Sequence, residues 1–267
     1  SSEAGAARVC RHRCANACQP QLPGLLPCPR PARAVPGPSS AHHQCARCSL
    51  RPAWSSQPRN HRCFSHRAQE DTVVAKVDDT IFQHAYFGVF DGHGGSGVSE
   101  HCATHLHANV LSSTHMPDVL QALQDGFLRT DADVLDEVSA PDRSGARRRG
   151  WDAGTAAVAM FVTAQDLAFA HAGDCRAVLV KRSGSPVPFV DLTIDHAVAG
   201  VPDRPDEVIR VEKVGGKISP GHVYVGDYSL PMTRALGDLP LKVAADRSWR
   251  EMSVGEQIVT ALPEVSM

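Results

Sequence analysis

From residue 70 onward, hydrophobic residues recur with the spacing of regular secondary structure. Residues 72–77 and 85–90 are short runs rich in valine and aromatic residues, and they predict two strands, the second ending at Asp91. Residues 96–112 and 118–137 repeat hydrophobic residues every three or four positions, which predicts two helices. This part of the chain therefore begins with a pair of strands followed by a pair of helices.

The pattern returns to strands after a charged loop at 139–153. Ser183–Gly184 is a hairpin signal within this second strand region, and residues 207–213 predict a further helix. Helices bracketed by antiparallel strands indicate an α+β fold. Four hydrophobic runs make up the second strand region: 155–163, 167–172, 176–181 and 187–193.

The first 64 residues have a different composition. Up to residue 60 they contain nine prolines and eight arginines but a single acidic residue, Glu3. Because proline removes backbone donors and interrupts helices and strands, we expect residues 1–64 to be a disordered extension rich in Pro, Arg and Cys. An arginine-rich, acid-poor composition is also typical of organelle transit segments. Organelle targeting is therefore the alternative to a disordered segment that carries no targeting signal.

Composition also limits which partners the protein can bind and in which compartment it is expected. The formal net charge of −2 argues against a nucleic-acid-binding protein. No stretch approaches the roughly 20 apolar residues that a membrane helix needs. Seven of the nine cysteines precede residue 64, so the later part is expected to be a reduced, intracellular domain, cytoplasmic or nuclear, and a monomer.

A short acidic, glycine-rich sequence carries the strongest chemical signal. Asp91 closes a predicted buried strand, which holds its carboxylate rigidly, and Gly92 and Gly94 let the backbone turn sharply. His93 titrates near neutral pH and can transfer protons. The alternative interpretation is a glycine-rich turn with a surface histidine.

A second acidic element precedes the first strand. Glu70 and Asp71 lie at the start of a strand that can pair with the one ending at Asp91. Converging carboxylates repel each other unless a cation lies between them, so the arrangement predicts a metal site. Taken alone, a pair of acids such as Glu70 and Asp71 is usually part of a solvated surface.

These elements and those that follow them resemble the type 2C family of Ser/Thr protein phosphatases. The landmarks in family order are Glu70-Asp71, Asp91-Gly92-His93-Gly94-Gly95, Gly154-Thr155-Ala156, Ala172-Gly173-Asp174-Cys175-Arg176-Ala177, Leu192-Thr193-Ile194-Asp195-His196, Glu207-Val208-Ile209-Arg210-Val211 with Gly215-Gly216, Thr233-Arg234-Ala235-Leu236-Gly237-Asp238, and Pro263-Glu264-Val265. They span residues 70–265.

The resemblance implies a four-layer αββα fold, in which an antiparallel β-sandwich carries helices on both faces. It implies two Mn²⁺ or Mg²⁺ ions, with a weaker third, and hydrolysis of phosphoserine or phosphothreonine in a phosphoprotein substrate by a metal-activated water. Asp91, the Gly92 carbonyl, Glu70 and Asp71 are the implied metal-binding residues around the two ions, with Asp174 at the third. His93 is the implied general acid beside Asp91.

Other landmarks are expected to be structural. Gly154 and Thr155 should let a central strand pack closely. Arg234 and Asp238 are expected to form an internal ion pair and turn rather than contact substrate.

Two features depart from the family pattern. The phosphate-binding arginine is expected four residues before Glu70, where this chain has His66; Arg67 or Arg62 is the substitute that we predict. The family's Asp-Gly-x-x-Asp turn and final Asp-Asn are not in the sequence before Met267. Residues 65–267 are therefore predicted to be a partial type 2C domain, incomplete at its C-terminus, and a catalytically impaired phosphatase-like protein that binds a phosphoprotein or regulates signalling is the alternative function.

Overall fold

The computed structural model describes residues 7–10, 69–78, 84–141, 144–146, 150, 152–181, 187–198, 204–242 and 247–267. All of them belong to one of the two units into which the chain divides, residues 1–12 and 58–267. The predicted phosphate-binding residues Arg62 and Arg67 and the hairpin signal at Ser183–Gly184 lie outside the described residues.

Antiparallel pairing joins the strands of the described residues into one large and two small sheets. The large sheet has the order β12-β5-β4-β3-β2, with β11 added against β4, and the small sheets have the orders β1-β6-β7 and β10-β9-β8. The strands are β1 (Ala7–Cys10), β2 (Thr72–Asp78), β3 (His84–His93), β4 (Gly154–Val162), β5 (Leu167–Ala172), β6 (Arg176–Val180), β7 (Phe189–Asp191), β8 (Lys217–Ser219), β9 (His222–Val225), β10 (Tyr228–Leu230), β11 (Leu236–Gly237) and β12 (Glu264–Ser266).

Within the described ranges, three α-helices accompany these sheets: α1 (Gly97–Leu111), α2 (Val119–Ser139) and α3 (Pro205–Lys213). The Asp118 carboxylate accepts a hydrogen bond from the Gln121 backbone N–H at 3.2 Å, which caps the start of α2. Pro205 occupies the first turn of α3, where its missing N–H costs no helical hydrogen bond. None of the helices among the described residues combines the length and the apolar character needed to cross a membrane.

Two hydrophobic cores lie on opposite faces of the large sheet, because side chains alternate along each strand. On one face Phe90 and Phe161 pack with Leu106 of α1 and Phe127 of α2. The second core joins side chains of the large sheet to those of β6, β9, β10 and α3: Val158, Met160, Phe169, Ala177, Val211, Val223 and Leu230. The molecule is therefore an α+β sandwich, which confirms the predicted fold class.

The predicted elements agree with the observed ones with a few informative differences. Strand β3 does not end at Asp91 but continues through Gly92 to His93, because β4 pairs with it up to Gly154. A short strand, Ala7–Cys10, lies within the predicted N-terminal extension and pairs with β6. The boundary at residues 64 and 65 stays a prediction.

Candidate functional site

Asp91 and His93 lie on one face of the large sheet, at the end of β3. Strand β3 alternates strictly between buried and half-buried residues, and both side chains fall in the half-buried set. The pairing of Thr72 with Phe90, continued by one residue, sets Asp71 opposite Asp91. The sequence predicted that Asp71 and Asp91 lie close together. The register of β2 against β3 is what would place them opposite each other.

Gly92 occupies a position that no larger residue can fill. A Cβ added there would lie 2.2 Å from the carbonyl oxygen of Glu70 and 2.8 Å from Ser99 Oγ. The Ser99 hydroxyl donates to that same carbonyl of Glu70 and to Ser96 O, the latter at 2.9 Å. The first turn of α1 therefore holds the backbone of Glu70 directly against Gly92.

Asp174 approaches the same region from the turn between β5 and β6. Burial raises the pKa of the Asp174 carboxyl, and the negative charge of Asp91 raises it further. The two carboxylates are thus close enough to repel each other. A cation bound between them would remove that repulsion, so the structure brings together two of the predicted metal ligands.

His93 pairs with a buried carboxylate. Its Nε2 lies 2.8 Å and 3.0 Å from the two carboxylate oxygens of Asp238, and the Asp238 carboxylate is almost fully buried. Burial lowers the pKa of His93, but the charges of Asp238, Asp91 and Asp174 outweigh burial and raise it overall. These carboxylates therefore stabilise the protonated imidazolium of His93 relative to that of a free histidine.

The role expected for Asp238 was wrong. Arg234 does not pair with Asp238: its guanidinium donates to Glu207 Oε1 at 2.6 Å and to Leu262 O at 2.9 Å. Asp238 instead faces His93. Its carboxylate also lies against Gly154, where a Cβ would come within 2.1 Å of Asp238 Oδ2, and no sequence pattern indicated this contact.

Arg176 supports the turn that carries Asp174. Its guanidinium donates two hydrogen bonds to the buried carboxylate of Asp195, at 2.7 and 2.8 Å. Such a two-point pair fixes the orientation of both side chains. The landmark from Leu192 to His196 therefore reinforces the turn rather than contacting a ligand.

A second group of potential ligands is held by internal interactions. Donor atoms of His171, His196 and Glu264 all lie within 4.8 Å of one another, and among the described residues this is the one group of three that meets that distance. His171 Nε2 already lies 2.8 Å from Ile194 O, and Glu264 pairs with Arg204 at 2.5 Å. A cation there would face the Arg204 charge, so we assign this group to packing.

A comparison with protein-family models gives a match to the protein phosphatase 2C model over residues 61–267. The chain belongs to the protein phosphatase 2C family. Members of this family are metal-dependent protein phosphatases, so the predicted resemblance is confirmed.

Curated relatives carry the same family name. Protein phosphatase 2C 1 of Paramecium tetraurelia is 32% identical over 201 residues, which is 73% of this chain and 61% of that protein. Protein phosphatase 2C homolog 2 of Aspergillus fumigatus is 32% identical over 195 residues, covering 72% of this chain and 40% of that protein. The chain thus spans about three fifths or less of the length of these relatives.

Solved structures share the fold. The serine-threonine phosphatase 2C from Toxoplasma gondii superposes with a TM-score of 0.55 at 20% identity, covering 75% of this chain and 69% of that chain. A sex-determining protein of C. elegans also gives a TM-score of 0.55, at 24% identity over 75% of this chain and 45% of that chain.

The donor set of the site fits the hard cations of a protein phosphatase 2C. Glu70, Asp71, Asp91 and Asp174 offer carboxylate oxygens and Gly92 a carbonyl, and oxygen ligands are those that Mn²⁺ and Mg²⁺ prefer. Burial first, and then the charge of Asp91, raises the pKa of the Asp174 carboxyl, and a cation bound beside these two acids would oppose both effects. The described residues thus suit a divalent cation.

Proposed function

We propose that the protein hydrolyses phosphoserine and phosphothreonine in proteins with the help of two Mn²⁺ or Mg²⁺ ions. The observation that carries the proposal is the meeting of Asp91, Asp174 and the His93–Asp238 pair at one end of the sandwich. Family membership supplies the reaction class. The phosphoprotein substrate follows from that class.

The metal-binding residues in this proposal are Glu70, Asp71, Asp91 and Gly92, with Asp174 at a weaker third ion. When bound, the ions supply a water activated for attack on phosphorus. The side chain of Asp91 is held by β3 and β4, whose register runs unbroken past it to His93 and Gly154. Arg67 or Arg62 is proposed to bind the phosphate oxygens as a two-point donor.

His93 acts in this proposal as the general acid. Attack of the water oxygen on phosphorus breaks the bond to the serine or threonine oxygen, which leaves as an alkoxide and must gain a proton. Because Nε2 faces the Asp238 carboxylate, that nitrogen keeps its proton. The proton given to the leaving oxygen is then the one on Nδ1, and the products are phosphate and the free hydroxyl.

A phosphoprotein-binding protein with impaired catalysis is the second candidate. It is favoured by one observation: within the described ranges, the three carboxylates Glu70, Asp91 and Asp174 do not form a group whose donor oxygens all lie within 4.8 Å. Too few anionic ligands would leave the metal affinity low. Such a protein would still bind a phosphorylated segment.

The two candidates are separated by phosphate release from a phosphothreonine peptide. We expect release by the whole chain in Mn²⁺ or Mg²⁺, its loss on adding EDTA, and its return when metal is restored. Calorimetry with the same peptide accompanies the assay. Saturable peptide binding without metal-dependent release would support the binding protein, and the absence of both would exclude both candidates.

Replacing His93 by glutamine tests the general acid. We expect His93→Gln to lower kcat for a phosphothreonine peptide by about 100- to 10,000-fold, the usual contribution of a positioned acid. Hydrolysis of p-nitrophenyl phosphate should change little, because nitrophenolate leaves without a proton. His105→Gln, an exposed change on α1, is the control. Equal losses on both substrates would contradict the assignment.

A further inference from the structure

A buried ion pair lies behind the active site, between α2 and the segment that carries Asp238. Lys242 Nζ lies 2.6 Å from Asp131 Oδ1, and the side chains of Lys242 and Asp131 are 0% and 6% exposed. Lys242 Nζ also donates to Ala235 O at 2.9 Å, and Asp131 Oδ1 accepts from the Gly237 N–H at 2.8 Å. One carboxylate oxygen therefore binds two points of the segment from Ala235 to Lys242.

The backbone between those two points is in a rare conformation. Gly237 has φ of 80° and Asp238 has φ of 52°, and Asp238 is the one non-glycine residue with positive φ in the described part of the chain. Residues with a side chain keep this conformation only where the surroundings hold them in it. The Asp238 N–H donates to Ala153 O at 2.9 Å, and Leu241 N–H donates to Asp238 O at 2.9 Å.

The Asp238 carboxylate has little room to move. Its oxygens lie against Gly154, where even a Cβ would come within 2.1 Å of Oδ2, and they also lie 2.8 Å and 3.0 Å from His93 Nε2. A small shift of the segment would therefore either break the contact with His93 or push the carboxylate into β4.

Stability alone does not account for the pair. Burying a charged pair removes both groups from water, and apolar side chains of similar size in the same place are commonly as stable or more so. The neighbouring positions of α2 follow that apolar rule, since Phe127 and Val134 are buried in the first core. A charged pair at this place therefore indicates that the pair positions the segment from Ala235 to Lys242.

We propose that Asp131 and Lys242 are positioning residues that hold the Asp238 carboxylate against His93. The proposal rests on the proposed function, in which His93 is the proton donor. Asp131 fixes Gly237 directly and fixes Lys242 through its charge, so both ends of the strained segment are tied to α2. The orientation of His93 is thereby set by a helix that does not itself reach the reacting atoms.

The test replaces the pair by apolar residues, in the double variant Asp131→Leu/Lys242→Met, so that no buried charge is left alone. We expect kcat for a phosphothreonine peptide to fall by about tenfold to a hundredfold, the cost of a displacement near 1 Å, with KM unchanged. Hydrolysis of p-nitrophenyl phosphate should stay within about twofold, because its leaving group needs no proton. Val134→Ala, which removes buried apolar volume from α2 but no charge, should leave the ratio of the two kcat values unchanged.

A crystal structure of the double variant gives a readout that needs no activity. We expect His93 Nε2 and the Asp238 carboxylate to separate beyond hydrogen-bond distance. A retained contact, or an equal fall on both substrates, would overturn the proposal. If the wild-type chain hydrolyses neither substrate, the proposed function fails. The positioning role is then tested only by whether the crystal structure of the variant keeps the contact between His93 and Asp238. If Asp131→Leu/Lys242→Met does not fold, Asp131→Asn/Lys242→Met takes its place, because asparagine keeps a hydrogen-bond acceptor for the Gly237 N–H. The same outcomes then support or overturn the proposal.

Discussion

The Asp91→Asn variant is expected to lose at least about a thousandfold in kcat/KM for a phosphothreonine peptide, or roughly 4 kcal/mol of transition-state stabilisation. Asp91 is the proposed ligand shared by both ions, so replacing one carboxylate oxygen by an amide removes anionic charge from each. Asparagine preserves the size of the side chain and the pairing of β3 with β4, so the loss is expected in the chemistry and not in the fold.

Two measurements separate that loss from unfolding. Without metal the variant should be as stable as the wild type or slightly more stable, because Asp91 and Asp174 repel each other. The rise in Tm that Mn²⁺ produces by binding the folded state should be reduced in the variant. Asp166→Asn, in the exposed turn at the opposite end of β4, is the control. A full Mn²⁺-induced rise in Asp91→Asn would contradict its role as a ligand.

Replacing Glu207 by alanine is expected to cost about 3–5 kcal/mol of unfolding free energy, which is what breaking a buried ion pair costs. The Glu207 carboxylate, 3% exposed, accepts from Arg234 at 2.6 Å, from Arg210 at 3.2 Å and from the hydroxyl of Thr233. Removing it takes the nearest carboxylate away from two part-buried guanidinium groups, of which Arg234 keeps only the more distant Glu264 at 3.8 Å. Urea unfolding of the two chains measures the difference.

The matched control is Glu256→Ala, which removes an exposed partner of Arg247 at 2.8 Å and the two hydrogen bonds that Glu256 accepts from Ser253. An exposed pair contributes about 0–1 kcal/mol and a lost cap about 1 kcal/mol, so this variant should lose much less stability than Glu207→Ala. A similar loss in both variants would show that the Glu207 cluster is no more important than a surface pair.

The same cluster predicts how the fold responds to acid. Burial by itself raises the pKa of Glu207, but Arg234, Arg210 and Thr233 lower it from 4.5 to about 2. Because the folded pKa lies below the unfolded one, this contribution is complete above pH 4.5 and is lost as the pH falls toward 2. In Glu207→Gln, the free energy of unfolding should therefore depend less steeply on pH between those values.

Local patterns were sufficient for most elements of the fold. Alternation of side chains between faces defined strands such as β5, whose predicted bounds agree with the observed 167–172. The three- and four-residue spacing of hydrophobic residues predicted the ends of α1 and α2 to within two residues. These signals are local because burial repeats with the period of the element itself.

The acids of the site were also recognisable from the sequence, because carboxylates at strand ends beside glycines are rare outside ligand sites. Asp91, His93 and Asp174 do meet. Residues that act through distant partners were not recognisable. Asp238 lies 145 positions from His93, and Lys242 lies 111 positions from Asp131.

The sequence by itself thus determined the class of fold and the family, and it proposed the acids of a cation site. Only the tertiary structure shows which partner each buried charge has. It pairs Asp238 with His93 and Arg234 with Glu207. The physical reason is that periodicity reports only whether a position is buried. The pairing of charges depends on which chain segments pack together, and a buried charge binds whichever opposite charge the packing places within reach.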